Sequence, residues 1–263
     1  MFDDLNPEEK EGLIDLANKV YDDGLKKSVQ AAGDCMSLFF RAINAALSPI
    51  EKLILYKEHS IAITKKMLEE KLNNVNVNDI VSPEPYVAVP AINAVSCCIN
   101  SDDLRNLYAN LIARSMLKNE KDKVHPAFVE IIKQLSPTDA AILKILYNKF
   151  LLSVPMVNVN LKNRKTGSYI PIIKNICEIP GYDYSTIASS IENLNRLKLF
   201  DISLNSYIEN STYYDSIKNS PNLTKFLDSR VLYDSDEFFE FKMIASSPTQ
   251  FGLNFCNICI KDL

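Results

Sequence analysis

Apolar positions recur at helical spacing through the first half of the chain. Leu13, Leu16, Ala17, Val20 and Tyr21 form a stripe behind the start signal Asn6-Pro7-Glu8-Glu9. A second apolar segment, Met36 to Leu47, stops at Ser48-Pro49-Ile50-Glu51, a capping box that opens a helix reaching Leu72. Asn73 to Asn78 is a polar break. Pro83, Pro85 and Pro90 then predict an extended approach over 79–90 to a short buried helix over 91–99. Ser101-Asp102-Asp103 caps the next helix, whose Leu104, Leu107, Tyr108, Leu111 and Ile112 form one buried face. Pro126 suits the first turn of a helix carrying Phe128, Ile131, Ile132 and Leu135.

The pattern changes at Ser136-Pro137-Thr138-Asp139, which ends one helix and caps another over 137–150. Val154 to Leu161 alternates and is β-branched, Asn163 to Ser168 is a turn, and Tyr169 to Ile173 returns as a second strand. Tyr184-Ser185-Thr186 opens a helix with Ile187, Ile191, Leu194 and Leu197 inward, and Glu237 to Ala245 alternates as a strand. Ser247-Pro248-Thr249-Gln250 caps a last helix holding Phe251, Phe255 and Ile258, and Thr249-x-x-Gly252-x-x-Phe255 has the spacing of a threonine-to-glycine turn. These elements predict a mainly α chain in two modules. Residues 1–122 form a helical effector or oligomerisation module. Residues 127–263 form a winged-helix-like α+β module with an inserted β-hairpin.

Composition narrows this picture. With 6 Gly in 263 residues, doubly wound dinucleotide folds and Gly-turned β-barrels are disfavoured. A net charge of −4 gives no global attraction to nucleic acid. The acidic start reads as neither secretory signal nor transit peptide, and the longest uncharged runs are too broken by Pro, Asn and Ser to span a bilayer. Cys35, Cys97, Cys98, Cys177, Cys256 and Cys259 lack a disulfide-framework spacing and read as reduced thiols of a cytoplasmic protein.

Candidate chemistry is sparse. His125 beside Pro126 reads as a helix-entry cap, His59 as a solvated residue of a charged helix, and neither has an acidic partner at a catalytic spacing. Cys256 and Cys259 share a helical face but lack two further zinc ligands, and there is no Gly-rich phosphate loop, so no metal, cofactor or enzymatic role is expected. From Ala140 to Cys177 no Asp or Glu occurs, whereas Lys144, Lys149, Lys162, Arg164, Lys165 and Lys174 do. That cluster is a candidate patch for an anionic partner, against the alternative of a charge-protected edge hairpin. The helix over 184–197 carries little positive charge and residues 201–240 are acidic, which favours protein contact over DNA reading. Cys35 to Leu47 is apolar enough for a membrane surface, but Arg41 alone makes no basic face, so burial or a dimer seam is preferred.

Several stretches together resemble the bacterial abortive-infection alpha (Abi-alpha) family. They are KVYDDGLKKS with Asp22, RAINAALSPIEKLI with Pro49, VSPEPYVAVPAINAVS with Pro90, SDDLRNLYANLIARSM with Asp102 and Arg105, and HPAFVEIIKQLSP with His125, Pro126 and Ser136. The resemblance covers most of the chain and weakens after residue 150. It implies a role in phage defence and supplies no catalytic residues. The expected function is that of a non-enzymatic abortive-infection protein working through a protein partner, a phage component or self-association. The alternatives are a winged-helix DNA-binding regulator and a membrane-disrupting effector using residues 35–56.

Overall fold

The computed structural model describes residues 62, 66–72, 75–76, 79–81, 83–95, 98, 100–150, 153–228 and 235–263. The helices expected before residue 62, with Asp22, Pro49, His59 and the apolar segment 35–56, lie outside the described residues. The contacts divide the chain into two compact units. The first runs to Gln134 and takes in Ile258–Leu263; the second is Leu135–Asn257.

In the first unit, residues 66–72 are helical. They are followed by α1 (Pro85–Val95), α2 (Asp102–Ser115), a 3-10 turn at Lys121–Lys123, and α3 (Ala127–Lys133). The extended approach expected up to residue 90 ends earlier. Pro85 occupies the first helical turn, where its missing N–H is not needed, and Pro90 lies inside the helix. Pro90 therefore removes one helical hydrogen bond without ending α1. Helix α2 begins as its sequence dictates, with the Ser101 hydroxyl accepting from the Leu104 N–H at 3.3 Å and Asp102 and Asp103 in the positive first turn. Helices α1, α2 and α3 pack on one another around Tyr108, Leu111, Ile112, Phe128 and Ile132, all fully buried.

The second unit opens with α4 (Pro137–Lys149), and its start matches the expected cap. The Ser136 hydroxyl accepts from the Asp139 N–H at 3.0 Å, and the Asp139 carboxylate accepts from the Ser136 N–H at 2.9 Å. There follow β1 (Val154–Asn163), β2 (Tyr169–Ile176), α5 (Tyr184–Arg196), β3 (Phe200–Ser203), α6 (Thr212–Lys218), α7 (Pro221–Asp228), β4 (Glu237–Pro248) and α8 (Gln250–Cys259). The last two residues of α8 belong to the first unit.

The expectation of a mainly α chain is corrected here: the fold is α+β. The hairpin β1–β2 is not an appendage inserted into a winged helix. It is half of one antiparallel sheet in the order β2-β1-β4-β3, with β4 paired to β1 along the whole of β1. Two helices, α6 and α7, separate β3 from β4 in sequence. The partner of β1 thus comes from more than seventy residues away, Val154 lying opposite Ser246. Local periodicity carries no signal for such a pairing.

Strand β1 is buried from Val154 to Leu161 on both faces, Asn158 and Asn160 included. Asn158 has a defined task. Its side-chain oxygen accepts from the Asn175 N–H at 2.7 Å, next to the register shift between Val157 and Val159, where Asn175 takes φ 59°.

The join between α5 and β3 is clamped by the start of α8. Lys198 adopts φ 58°. Its carbonyl accepts from the Thr249 hydroxyl at 2.6 Å, and the Leu199 carbonyl accepts from the Thr249 N–H at 3.0 Å. The Thr249 oxygen in turn accepts from the Gly252 N–H at 2.8 Å. A Cβ on Gly252 would lie 1.9 Å from the Leu199 carbonyl oxygen, so the close approach of backbone to backbone requires glycine. Gly252→Ala is expected to destabilise the chain by about 2 kcal/mol or more through forced separation of the two backbones. Thr249→Val, which removes the cap and the hydroxyl's bond to the Lys198 carbonyl but keeps the backbone approach, should cost about 1 kcal/mol. Urea unfolding midpoints of the two variants would reverse their order if the clamp did not depend on the missing Cβ.

Candidate functional site

Helix α2 is the most heavily buried polar element described. Arg105, Asn110, Arg114 and Ser115 all lie inside it together with its apolar residues. The positions explain why: Arg114 is seven residues after Leu107, on the apolar stripe itself, and Asn110 adjoins Leu111. Each needs partners, since a buried unpaired polar group is costly. Arg105 donates to the Cys98 carbonyl at 2.8 Å and pairs with Asp102, fastening the turn that precedes the helix. Arg114 pairs with Glu120 and donates to the carbonyls of Lys261 at 3.0 Å and Asp262 at 3.3 Å. Asn110 donates to the Cys259 carbonyl at 2.8 Å, and Lys71 pairs with Asp262 at 3.2 Å. Three side chains, Asn110, Arg114 and Lys71, thus hold the path of residues 259–262. The sequence points to Arg105 and His125 among the residues of the family resemblance but not to Asn110 and Arg114, although their place within the apolar arc was the available signal.

His125 and Arg105 each serve the start of a helix. The His125 Nδ1 accepts from the Ala127 N–H at 3.1 Å, and its ring lies 5.9 Å from that of Phe128. It caps α3 beside Pro126, as its sequence neighbours imply. Pro90 sits within α1, Asp102 and Arg105 at the start of α2, and Ser136 at the start of α4.

The basic cluster is divided by the fold. Lys162 meets Glu240 at 2.6 Å, Lys165 meets Asp236 at 2.5 Å, and the Arg164 guanidinium lies 5.0 Å from the centre of the Phe238 ring. Lys149 lies 5.1 Å from the Phe150 ring centre, and Lys144 and Lys174 are exposed. The acids come from β4 and the turn before it, out of sight of a local reading of residues 140–177.

Two clefts flank α5. One, of about 370 Å³, lies between β2 and α5 and is lined by Pro171, Ile172, Ile173, Ser185, Ser189 and Phe226 among others. The other, of about 390 Å³, lies between the starts of α4 and α5 and includes Ser136, Thr138, Thr186, Ser189 and Asn193. Ser185 and Ser189 border both, so the exposed side of α5 forms one hydroxyl-rich groove. Within it the Asp139 carboxylate accepts from Asn193 at 3.0 Å in addition to serving the Ser136 cap, which ties α4 to α5. At the start of α5, Asp183 accepts from the Thr186 backbone N–H and hydroxyl, which holds its carboxyl below its usual pKa. These carboxylates are engaged as helix caps. Beside the groove, β2 is an edge strand, with Tyr169 and Ile170 each more than 60% exposed.

The thiols are protected by burial. Cys177 and Cys256 are both pushed up to about 12, chiefly by desolvation, which keeps them in the weakly nucleophilic thiol form. Cys256 and Cys259 are buried at opposite ends of one turn of α8. Among the described residues no helix is long and apolar enough to cross a membrane.

In comparison with known proteins, a family model described as abortive infection alpha matches residues 56–259. No curated protein and no solved structure matches the chain.

The Lys162–Glu240 pair gives a test of the hairpin's anchoring. The hydrogen bond from Lys162, with further help from Asn160, holds the Glu240 carboxyl below the ordinary carboxylate range against a smaller desolvation effect. A folded-state pKa below the unfolded one means the native state binds fewer protons. The contribution is therefore present above the unfolded value and is lost as pH falls through the folded one. Lys162→Met should flatten the acid limb of the unfolding midpoint below pH 4.5 and leave its slope near neutrality unchanged. An unaltered acid limb would show that the pair adds nothing to the native state.

Proposed function

The chain belongs to the abortive infection alpha family, and from that membership we propose that it serves phage defence through contacts with other proteins, without a reaction of its own. The family ties the chain to abortive infection; the mode of action is our reading. The observation that supports it is the exposed apolar strip at the edge of the sheet. Tyr169 and Ile170 lie on β2, the strand has no further neighbour on that side in the described sheet, and the hydroxyl-rich groove of α5 runs beside it. Apolar and aromatic side chains at a polar-rimmed groove are the usual material of a protein interface. Pro171 belongs to the same strip and lacks an N–H, which protects the edge against indiscriminate strand pairing. The partner is then a protein that reads side chains, such as a phage component, and the chain works in the cytoplasm. Nucleic acid fits the site less well, because Lys162 and Lys165 already face carboxylates and Arg164 lies over Phe238.

The test is a phage challenge of bacterial cells producing the protein. Ile170→Asp and Tyr169→Ala, both at exposed positions, should leave the purified protein folded by circular dichroism. Each removes a contact of about 1–2 kcal/mol, or roughly tenfold in affinity, and plaque numbers should rise toward those of cells lacking the protein. Full protection by both variants would sink the reading. Loss of protection on reversing Lys144 and Lys174, together with salt-sensitive DNA retention, would replace it with an anionic partner.

A further inference from the structure

We infer that the β2 strip takes a second copy of this chain, whose stretch from Leu204 to Tyr213 docks on it, so that copies join head to tail. The inference rests on the reading of β2 as a protein interface and names the occupant of that same surface.

Within the second unit, among the described residues, large apolar side chains stand exposed at two places. One is the β2 strip, with Tyr169 and Ile170. The other follows β3, where Leu204, Tyr207 and Tyr213 are 55%, 60% and 48% exposed. Single exposed apolar residues are ordinary, but three in so short a stretch mark a contact surface. The stretch is also held in place. The Ile208 N–H donates to the Tyr214 hydroxyl, which donates to the Ile244 carbonyl just past the last β3–β4 pair, Ser203 with Ala245. The Ser203 hydroxyl donates to that of Ser206 at 2.8 Å. A surface ordered before contact gives up little conformational freedom on binding.

The two surfaces are complementary in charge. From Ser203 to Ile217 the chain has Glu209 and Asp215 and no Lys or Arg. Both acids are exposed, and neither meets a basic side chain among the described residues. Strand β2 has Lys174 and no acid. Lys174 is exposed, and although Glu192 lines the same cleft, the two form no ion pair. Each surface thus combines apolar side chains with uncompensated charge of one sign, and the signs are opposite. Pairing two β2 strips, or two acidic stretches, would instead bring like charges together. The contact is made by side chains, since Pro171 lacks the N–H that regular strand addition at β2 would use. The strip and the acidic stretch belong to the two end strands of the sheet, and both are exposed, so a copy does not cover one with the other. A contact between unlike surfaces is heterologous: it uses one surface of each copy and leaves the other open for the next.

The test is sedimentation velocity of the purified full chain. The sedimentation coefficient of the native chain should rise with concentration. Ile170→Asp on the strip and Tyr207→Asp in the acidic stretch, both at exposed positions, should each weaken association about thirtyfold. An equimolar mixture of these two variants should then form dimers and nothing larger, because the intact acidic stretch of the first meets the intact strip of the second. Lys174→Glu should weaken association about fivefold, and adding Glu209→Lys and Asp215→Lys to the same chain should restore it. A native chain that sediments alike at every concentration would overturn the inference. So would native-like association of Tyr207→Asp, a mixture whose two variants stay apart, or no recovery on double charge reversal. These readouts involve no phage. They can fail while phage protection stands, and full protection by the β2 variants can sink the functional reading while the assembly stands.

Discussion

The constraint on which the first unit depends is that α2 is buried over most of its length beyond its first turn while carrying Arg105, Asn110 and Arg114. An amphipathic helix can turn such groups to water; a helix packed against both α1 and α3 cannot. The surrounding chain must therefore bring carbonyls and carboxylates to it. The turn at Cys98 and the start of α2 supply them to Arg105, Glu120 pairs with Arg114, and residues 259–262 serve Asn110 and Arg114. Deleting one of these partners would leave a buried charge or amide unmatched, which costs more than the hydrogen bond itself contributes. The polar groups of α2 thus fix the course of segments that a purely apolar helix would leave free to slide.

The second unit meets a comparable demand by different means. Strand β1 is buried on both faces, paired to β4 along its length and to β2 from Val157 to Lys162. The irregularity in β2 is then absorbed by a side chain: Asn158 satisfies the Asn175 N–H that the register shift removes from the ladder. The Tyr214 hydroxyl does similar work, donating to the Ile244 carbonyl at 3.1 Å and accepting from the Ile208 N–H at 2.7 Å. It anchors the segment between β3 and α6 to β4. Its pKa is raised, mainly by burial, so the hydroxyl keeps the proton it donates.

Much of the local structure was legible from the residues, because its causes are local. The Ser136 capping box, the hairpin over Val154–Ile176, the α5 stripe and the threonine-to-glycine turn at Thr249–Gly252 each depend on neighbours within a few positions. Helices α6 and α7 were not anticipated. They are seven and eight residues long, too short for a clear period, and lie in an acidic segment that reads as solvated. Fold class failed for the reason that β4 pairs across more than seventy residues with β1, joining strands that look like separate hairpin and tail elements. Pro90 misled because proline is a strong local signal against helix, yet α1 tolerates the loss of one bond within a buried bundle.

Charge shows the same division between local and distant causes. A run without acids from Ala140 to Cys177 suggests a positive surface, but the potential of a surface is set by every group that folds against it. Glu240 and Asp236 reach Lys162 and Lys165 through the β1–β4 pairing, the same long-range contact that decides the fold class. Exposed on β2 are the apolar Tyr169, Ile170 and Pro171, with Lys174 further along the strand. The pairing that brings carboxylates to Lys162 and Lys165 therefore also changes the surface that the hairpin presents. With β4 in place, the outer part of β2 presents Tyr169, Ile170 and Pro171 at the sheet edge, beside Lys174. The charge and polarity of the hairpin's surface are thus properties of the sheet rather than of the segment that carries them.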